Sequence, residues 1–241
     1  MVTFEAMIQD KKVKMFADLP LKNAAGAIVK TLVQISQKTN IFTGSFVMCF
    51  GWAYFFLDQR KDENGEEYWV VQTTDYQKNP MKDKTDNVTV SLLVQNMQIE
   101  TVRTAKVKPL AATFKDTVVV LKAAIGAKDV YMNRIEPEKE GDSGWYFGLL
   151  DDPNEENHTA DEYTVVASYE LLKFRSEALR VLEMPVGTVA VFHENTLTAL
   201  VDGEDKPLDF TTPPKPEENK AENNQTEVVS ENADTELQED K

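Results

Sequence analysis

The sequence predicts an α+β fold: short, mostly antiparallel strands with one main helix per module, in two related modules followed by a disordered acidic tail. Three observations carry it. Aromatic and β-branched runs of strand length are bounded by turn residues. Two longer stretches place apolar residues at helical spacing. An aromatic strand also recurs, at Gly51-Trp52-Ala53-Tyr54-Phe55-Phe56 and at Gly144-Trp145-Tyr146-Phe147-Gly148. Each tryptophan is followed 24 residues later by a tyrosine, Tyr76 and Tyr169. Each copy then reaches a Pro step into an apolar hairpin, Val107-Lys108-Pro109-Leu110 and Glu183-Met184-Pro185-Val186. The first copy holds about 17 extra residues before that step. Two copies are too few for a solenoid or propeller.

Taken in order, Val2 to Phe16 supplies a first strand or a short irregular element. Asp18 to Thr39 reads as a helix: Pro20 suits a first turn, Ala24, Ala25 and Ala27 favour the state, and Ile28, Leu32 and Ile35 share a face. Phe46 to Leu57 and Tyr68 to Thr73 read as strands around a turn at Asp62-Glu63-Asn64-Gly65, where Asn-Gly accepts positive φ. Val88 to Val94 reads as a strand, and Thr113 to Lys122 as a tight hairpin turning at Lys115-Asp116. Val130 to Ile135 and Gly144 to Leu149 follow as strands, with an acidic loop from Asp151 to Asp161. Tyr169 to Leu182 reads as a helix that Pro185 and Gly187 end. Val189 to Phe192 and Leu197 to Val201 close as a hairpin around Glu194-Asn195. After Thr211 apolar residues become scarce, and such a segment gains too little from burial to offset its ordering. The expected division is 1–128, 129–210 and a tail over 211–241.

Charge divides the chain unevenly. Of the net −15, residues 129–210 hold nineteen acids against six bases, a net −13, and residues 211–241 hold a net −6. Residues 1–50 are net +3 and residues 51–128 net +1. Such a field repels nucleic acid and anionic membranes and attracts basic proteins. The N-terminus has no apolar run after a basic start, so no secretory signal is expected. Ile41 to Leu57 is uncharged for 17 residues, short of the roughly 20 that span a bilayer, and reads as buried strand. A single cysteine, Cys49, forms no internal disulfide and reads as a small buried hydrophobe in a cytoplasmic protein.

Catalytic constellations find little support. Gly141-Asp142-Ser143-Gly144 has the look of a serine-protease nucleophile loop. The only histidines, His158 and His193, lie downstream of it, and Trp145 stands where that loop continues with glycine. Two histidines and one cysteine do not make a zinc or iron site. Asp151-Asp152-Pro153-Asn154-Glu155-Glu156-Asn157 lacks the spacing and central glycine of an EF-hand loop. No glycine-rich phosphate loop is present. No catalytic residue, metal or cofactor is therefore expected. Trp52, Tyr54, Phe55, Trp145, Tyr146 and Phe147 read as core anchors of equivalent strands.

The strand Tyr131-Met132-Asn133-Arg134-Ile135-Glu136-Pro137, the step Asp142-Ser143-Gly144-Trp145-Tyr146-Phe147, and Leu182 with Pro185-Val186-Gly187-Thr188 resemble a bacterial family. It is immunity family thirty-three of the polymorphic toxin systems, formerly a domain of unknown function. The resemblance covers roughly residues 129–203, with a degenerate echo in 41–125. The family pattern continues after the aromatic strand with a Gly and an acidic pair before a Tyr; here Gly148-Leu149-Leu150 and a longer acidic loop precede Tyr163. The resemblance implies a stoichiometric, non-catalytic toxin binder, and the charge suits a basic toxin. The expected binding rim is Asp142, Asp151, Asp152, Glu155, Glu156, Asp161 and Glu162. The motif residues Asp142, Ser143, Gly144, Trp145, Pro185 and Gly187 are expected to be structural. A scaffold binding a basic housekeeping partner is the alternative reading, and a carboxylate-dependent enzyme a third.

Overall fold

The computed structural model describes residues 1–211; the expected tail lies outside the described residues, apart from Thr211. The body is α+β, built on two sheets. The first contains β1 (Val2–Ile8), β2 (Lys11–Ala17), β3 (Val47–Phe50), β4 (Ala53–Lys61), β5 (Glu67–Thr74) and a short β6 (Lys84–Thr85). Its order is β1-β2-β5-β4-β3, with β6 added to β5. The second contains β7 (Thr117–Leu121), β8 (Asp129–Arg134), β9 (Asp142–Leu149), β10 (Tyr163–Ala167), β11 (Val189–His193) and β12 (Thr196–Val201). Its order is β10-β7-β9-β8-β11-β12. Helix α1 (Lys22–Ser36) follows β2, α2 (Thr89–Ala105) links the sheets, and a short α3 (Leu171–Phe174) precedes β11.

The two sheets share a pairing pattern. In the first, β2 runs parallel to β5 and its other pairs are antiparallel. In the second, β7 runs parallel to β9 and its other pairs are antiparallel. Aligned this way, Trp69 opposite Val13 corresponds to Trp145 opposite Val118. Trp52 lies instead in the turn between β3 and β4. Trp52 and Trp145 are both buried, as expected of core anchors, yet they do not stand on equivalent strands.

Buried residues of both sheets and all three helices form one hydrophobic cluster. Several bonds tie the two sheets. Trp52 Nε1 donates to Ser168 Oγ at 3.3 Å, Gln98 Nε2 donates to the Leu179 carbonyl at 2.9 Å, and the Phe114 amide donates to the Trp52 carbonyl at 3.0 Å. Gly51 has φ +54°, and a Cβ there would lie 1.8 Å from Gln95 Oε1, which accepts the Trp52 amide at 3.0 Å. Only glycine lets that turn rest on α2.

Six local readings change. Val2 to Phe16 is a hairpin, turning at Gln9 and Asp10, both at positive φ. The Phe46 to Leu57 run turns at Gly51-Trp52 into two strands. Val88 to Val94 begins α2: the Asn87 carboxamide accepts the Thr89 amide, and the buried face passes through Ser91, Gln95, Gln98 and Thr101. That polar face hides the helical period, leaving the β-branched residues to suggest a strand. Thr113 to Lys122 is one strand, β7, entered through a turn that Asp116 Oδ2 fixes by accepting the Thr113 amide at 2.6 Å. Although it falls within 1–128, β7 pairs in the second sheet. Tyr169 to Leu182 is broken at Arg175, whose backbone extends to φ −154°, so a 3-10 segment Ser176–Val181 follows α3. The guanidinium of Arg175 bonds the Ala127 carbonyl ahead of β8, a contact outside the helical path. Cys49 is exposed on edge strand β3 rather than buried.

Because Trp52 closes against the far sheet, Trp52→Ala is expected to cost about 3–5 kcal/mol. It should lower one unfolding transition common to both sheets, followed in urea by tryptophan fluorescence and far-ultraviolet circular dichroism. Two separate transitions would show that the sheets unfold independently.

Candidate protein-binding site

Strand alternation turns Val130, Met132 and Arg134 of β8 toward the core, which buries a guanidinium at 1 % exposure. Arg134 Nε donates to the Ser143 carbonyl at 3.0 Å. Its Nη1 shares two N–H groups among the carbonyls of Leu110 (2.9 Å), Leu182 (2.9 Å) and Met184 (2.5 Å). Its plane lies over the Trp145 ring at 5.6 Å, and Trp145 Nε1 donates to the same Leu182 carbonyl at 3.1 Å. Burial lowers the Arg134 pKa to about 10, partly offset by the fields of Asp116, Glu183, Asp142 and Glu136, so it stays charged at neutral pH. Glu183 is also buried; its pKa is raised by that burial and held back by Arg134 and Gln95.

The motif residues serve this hub. Ser143 Oγ donates to the Thr117 carbonyl at 2.6 Å and accepts the Trp145 amide at 3.2 Å. Gly144 has φ +73°, and a Cβ there would lie 2.2 Å from the Ile135 carbonyl oxygen. Gly187 has φ +86° and packs against Gly203, with room for a Cβ only 2.8 Å from its Cα. The Pro185 carbonyl accepts the Thr188 amide. Asp142 accepts the amides of Gly144 (2.9 Å) and Glu138 (3.0 Å), so its carboxylate shapes a loop.

The other six rim residues lie between β9 and β10. Asp142 opens β9 and the acidic loop follows its far end, seven residues and about 23 Å along the strand. The seven acids therefore do not form one patch. Within the loop, His158 Nε2 meets Asp152 Oδ2 at 2.7 Å and Nδ1 meets Glu162 Oε1 at 3.0 Å. Glu162 also accepts the Thr159 amide at 2.7 Å in a capping box. Asp161 accepts the Thr159 hydroxyl, and Glu155 accepts the Tyr131 hydroxyl. Only Asp151 and Glu156 are exposed acids whose carboxylates hold nothing here.

The unexpected feature is the outer face of the second sheet. Register places Val165, Val119, Tyr146 and Asn133 side by side across β10, β7, β9 and β8. Val165 is 62 % exposed, Ile135 53 % and Val119 38 %. Together with Asp142, Gly144 and Glu138 they line a groove of about 470 Å³. A row of Tyr131, Tyr146 and Tyr163 crosses the face, with ring centroids 5.6 and 6.1 Å apart. Burial and then Tyr163 push the Tyr146 phenol up to about 12, against a lowering by the Tyr131 hydrogen bond, so this phenol is uncharged at neutral pH. Exposed Glu138 and Lys139 line one end of the groove, and exposed Glu136 and Glu140 flank them in the same loop. Sequence reasoning placed Tyr146 in the core and missed the groove. Its one visible signal was strand alternation that leaves Val119, Ile135 and Val165 on the outer side.

Hub and face belong to a recognisable unit. Residues 97–202 match the Imm33-like domain. The Imm33-like segment begins within α2 and includes β7, so it takes in the whole second sheet with the turn that enters it. The resemblance read over 129–203 had left both out. No curated protein and no solved structure matches the chain. Among the described residues, no group of three or more His, Cys, Asp or Glu could hold a metal ion, and no helix is long and apolar enough to cross a membrane.

Two outcomes follow for the Imm33-like segment. Arg134→Ala removes the donor from four carbonyls, of which Leu182 alone keeps the Trp145 indole, and should cost about 3–5 kcal/mol in urea unfolding. Arg134→Lys should recover little, because an ammonium lacks the planar fork. An alanine variant within 1 kcal/mol of wild type would remove the hub from this role. In the acidic loop, Asp152 and then Glu162 raise the His158 pKa, while His158 lowers that of Asp152 and the Thr159 amide that of Glu162. The raised imidazole stabilises most below its usual pKa, about 6.5, and fades as pH rises through its elevated value. The lowered carboxylates stabilise above their usual range, about 4, and fade as pH falls through their depressed values. The loop is therefore held best between about pH 5 and 6.5. An NMR titration should place His158 above the usual value and lower it in Asp152→Asn; an ordinary, unshifted titration would refute the clamp.

Proposed function

We propose that this chain is a non-catalytic binding protein that neutralises a basic bacterial toxin by stoichiometric contact. The observation that carries the reading is the coincidence of three things in one segment: the Imm33-like match, a sheet face left uncovered by the described residues, and an excess of acids, eighteen against eleven bases. An immunity-family segment suggests a protein partner and contact rather than turnover. The acidic surface adds the sign of that partner, because its field speeds capture of a cationic protein. A cytoplasmic location fits such a role. The shared strand pairing supports reading the two sheets as related modules, with the boundary ahead of β7. The first would then act as a scaffold that closes against the second through Trp52.

Among the described residues the carboxylates of Glu136, Glu138, Glu140 and Glu156 make no bond, so reversing them tests the field without unfolding the protein. The full chain should retain a basic protein at near one-to-one stoichiometry from toxin-producing cells and suppress its toxicity. Replacing the four acids with lysine should slow association by about tenfold or more at low salt, with little change in dissociation. An unchanged association rate and salt dependence would remove electrostatic capture from the proposal. Retention of no protein at either salt would remove the toxin reading itself.

A further inference from the structure

We propose that the groove on the outer face of the second sheet is the partner's anchor site, taking one large apolar side chain carried on a basic segment. This rests on the toxin-binding reading and says where and by what chemistry the partner is held.

Three features of the groove point to this. First, its walls are apolar where an outer sheet face is ordinarily polar. Val119, Ile135 and Val165 come from three different strands and converge on one cleft, with Tyr146 between them. An exposed apolar cleft rimmed by polar groups marks an interaction site. Central apolar anchors in such clefts carry most of the energy of protein interfaces. Second, two of the cleft's polar groups are already engaged within the fold. Asp142 accepts two backbone amides and the Thr117 hydroxyl donates to the Gly141 carbonyl, while Glu138 and Lys139 stand at the rim. At about 470 Å³ the cleft has room for a side chain together with the backbone that bears it. Third, the rim is more acidic than basic, with Glu138 and Asp142 against Lys139 in the cleft's own lining. Glu136, Glu138 and Glu140 form no ion pair among the described residues, and Lys139 is the one cation of that loop.

Charge also selects among occupants. A second copy docking face to face would bring the same carboxylates together, and like charges across an interface oppose association. The acidic segment after Thr211 carries nine acids against three lysines, and is disfavoured for the same reason. A cationic segment with an aliphatic or aromatic side chain satisfies both the walls and the rim.

The probe is a short synthetic peptide, Lys-Lys-Phe-Lys-Lys, blocked at both ends, with two controls: alanine for the phenylalanine, and glutamate for the lysines. Methyl NMR of the full chain reads out Val119, Ile135 and Val165. The phenylalanine peptide should give saturable shifts at these methyls, and the alanine peptide should bind at least tenfold more weakly. The glutamate peptide should not bind. Val165→Ser with Ile135→Ser, both well exposed, should weaken the phenylalanine peptide about tenfold while leaving the salt dependence intact. Glu138→Gln with Glu140→Gln should reduce the salt dependence. Absence of saturation at millimolar peptide would overturn the assignment. So would shifts confined to residues 151–162, equal binding of the alanine peptide, or methyl shifts that follow protein concentration without peptide, which would make a second copy the occupant. The natural partner separates the two levels. If the full chain suppresses the toxin and the double serine variant does so with equal affinity, the anchor fails and the toxin reading stands. If the full chain captures no toxin while the peptide pattern holds, the toxin reading fails and the cleft chemistry stands.

Discussion

The second sheet depends on a buried positive charge. Arg134 is taken out of water at a cost that no single hydrogen bond offsets. It is held by carbonyl groups from β9, from the connector ahead of β7 and from the turn after the 3-10 segment, with Trp145 stacked beneath. Leu182 and Met184 lie at the end of a helical segment, where carbonyls lack intrahelical partners. The arginine and those carbonyls solve each other's problem. Each alone would be a buried polar group without a partner, so the segments are fixed as a set. Ser143, Gly144 and Gly187 then follow as fitting requirements: a hydroxyl bridging β7 to β9, and two positions where a side chain would strike backbone.

Much of this fold was legible, and the failures share a cause. The Asn64-Gly65 turn, the Glu194-Asn195 hairpin and the strands around Trp69 and Phe147 came from signals confined to a few residues. Helix α2 was hidden because Ser91, Gln95, Gln98 and Thr101 share its buried face with Leu92, Val94, Val102 and Ala105, satisfying distant groups and breaking the apolar period. The helix read over Tyr169 to Leu182 broke because Arg175 is drawn to the Ala127 carbonyl, 48 residues away. Arg134 stood in plain view as the third member of an inward alternation with Val130 and Met132, and its role went unread because a charge is not expected there. The acidic rim failed for a related reason. Sequence counts carboxylates; it does not reveal that Asp152 and Glu162 are occupied by His158, or that Asp142 is occupied by two amides.

The two outer faces differ in how they treat their rings. On the first sheet, lysine ammonium groups sit over aromatic rings: Lys14 over Tyr68, Lys84 over Phe56 and Lys115 over Tyr54, each within 4.3 Å of the centroid. Those π faces are already engaged by cations. On the second sheet Tyr146 contacts the rings of Tyr131 and Tyr163, and Glu155 accepts the Tyr131 hydroxyl. One pairing pattern thus presents a self-satisfied face and an open one, and the open one falls within the Imm33-like segment.

The bond from Trp52 to Ser168 spans 116 residues. During synthesis the first sheet, complete by Thr85, emerges from the ribosome well before the residues that seal it. Trp52 and its stacked neighbour Tyr76 must wait for Ser168, and Arg134 for Met184. Contacts so distant in sequence slow folding and leave a nascent chain exposed to association until the last partners arrive. The final hairpin, ending at Val201, is therefore the part of the chain whose release completes the second sheet, where β8 waits for β11.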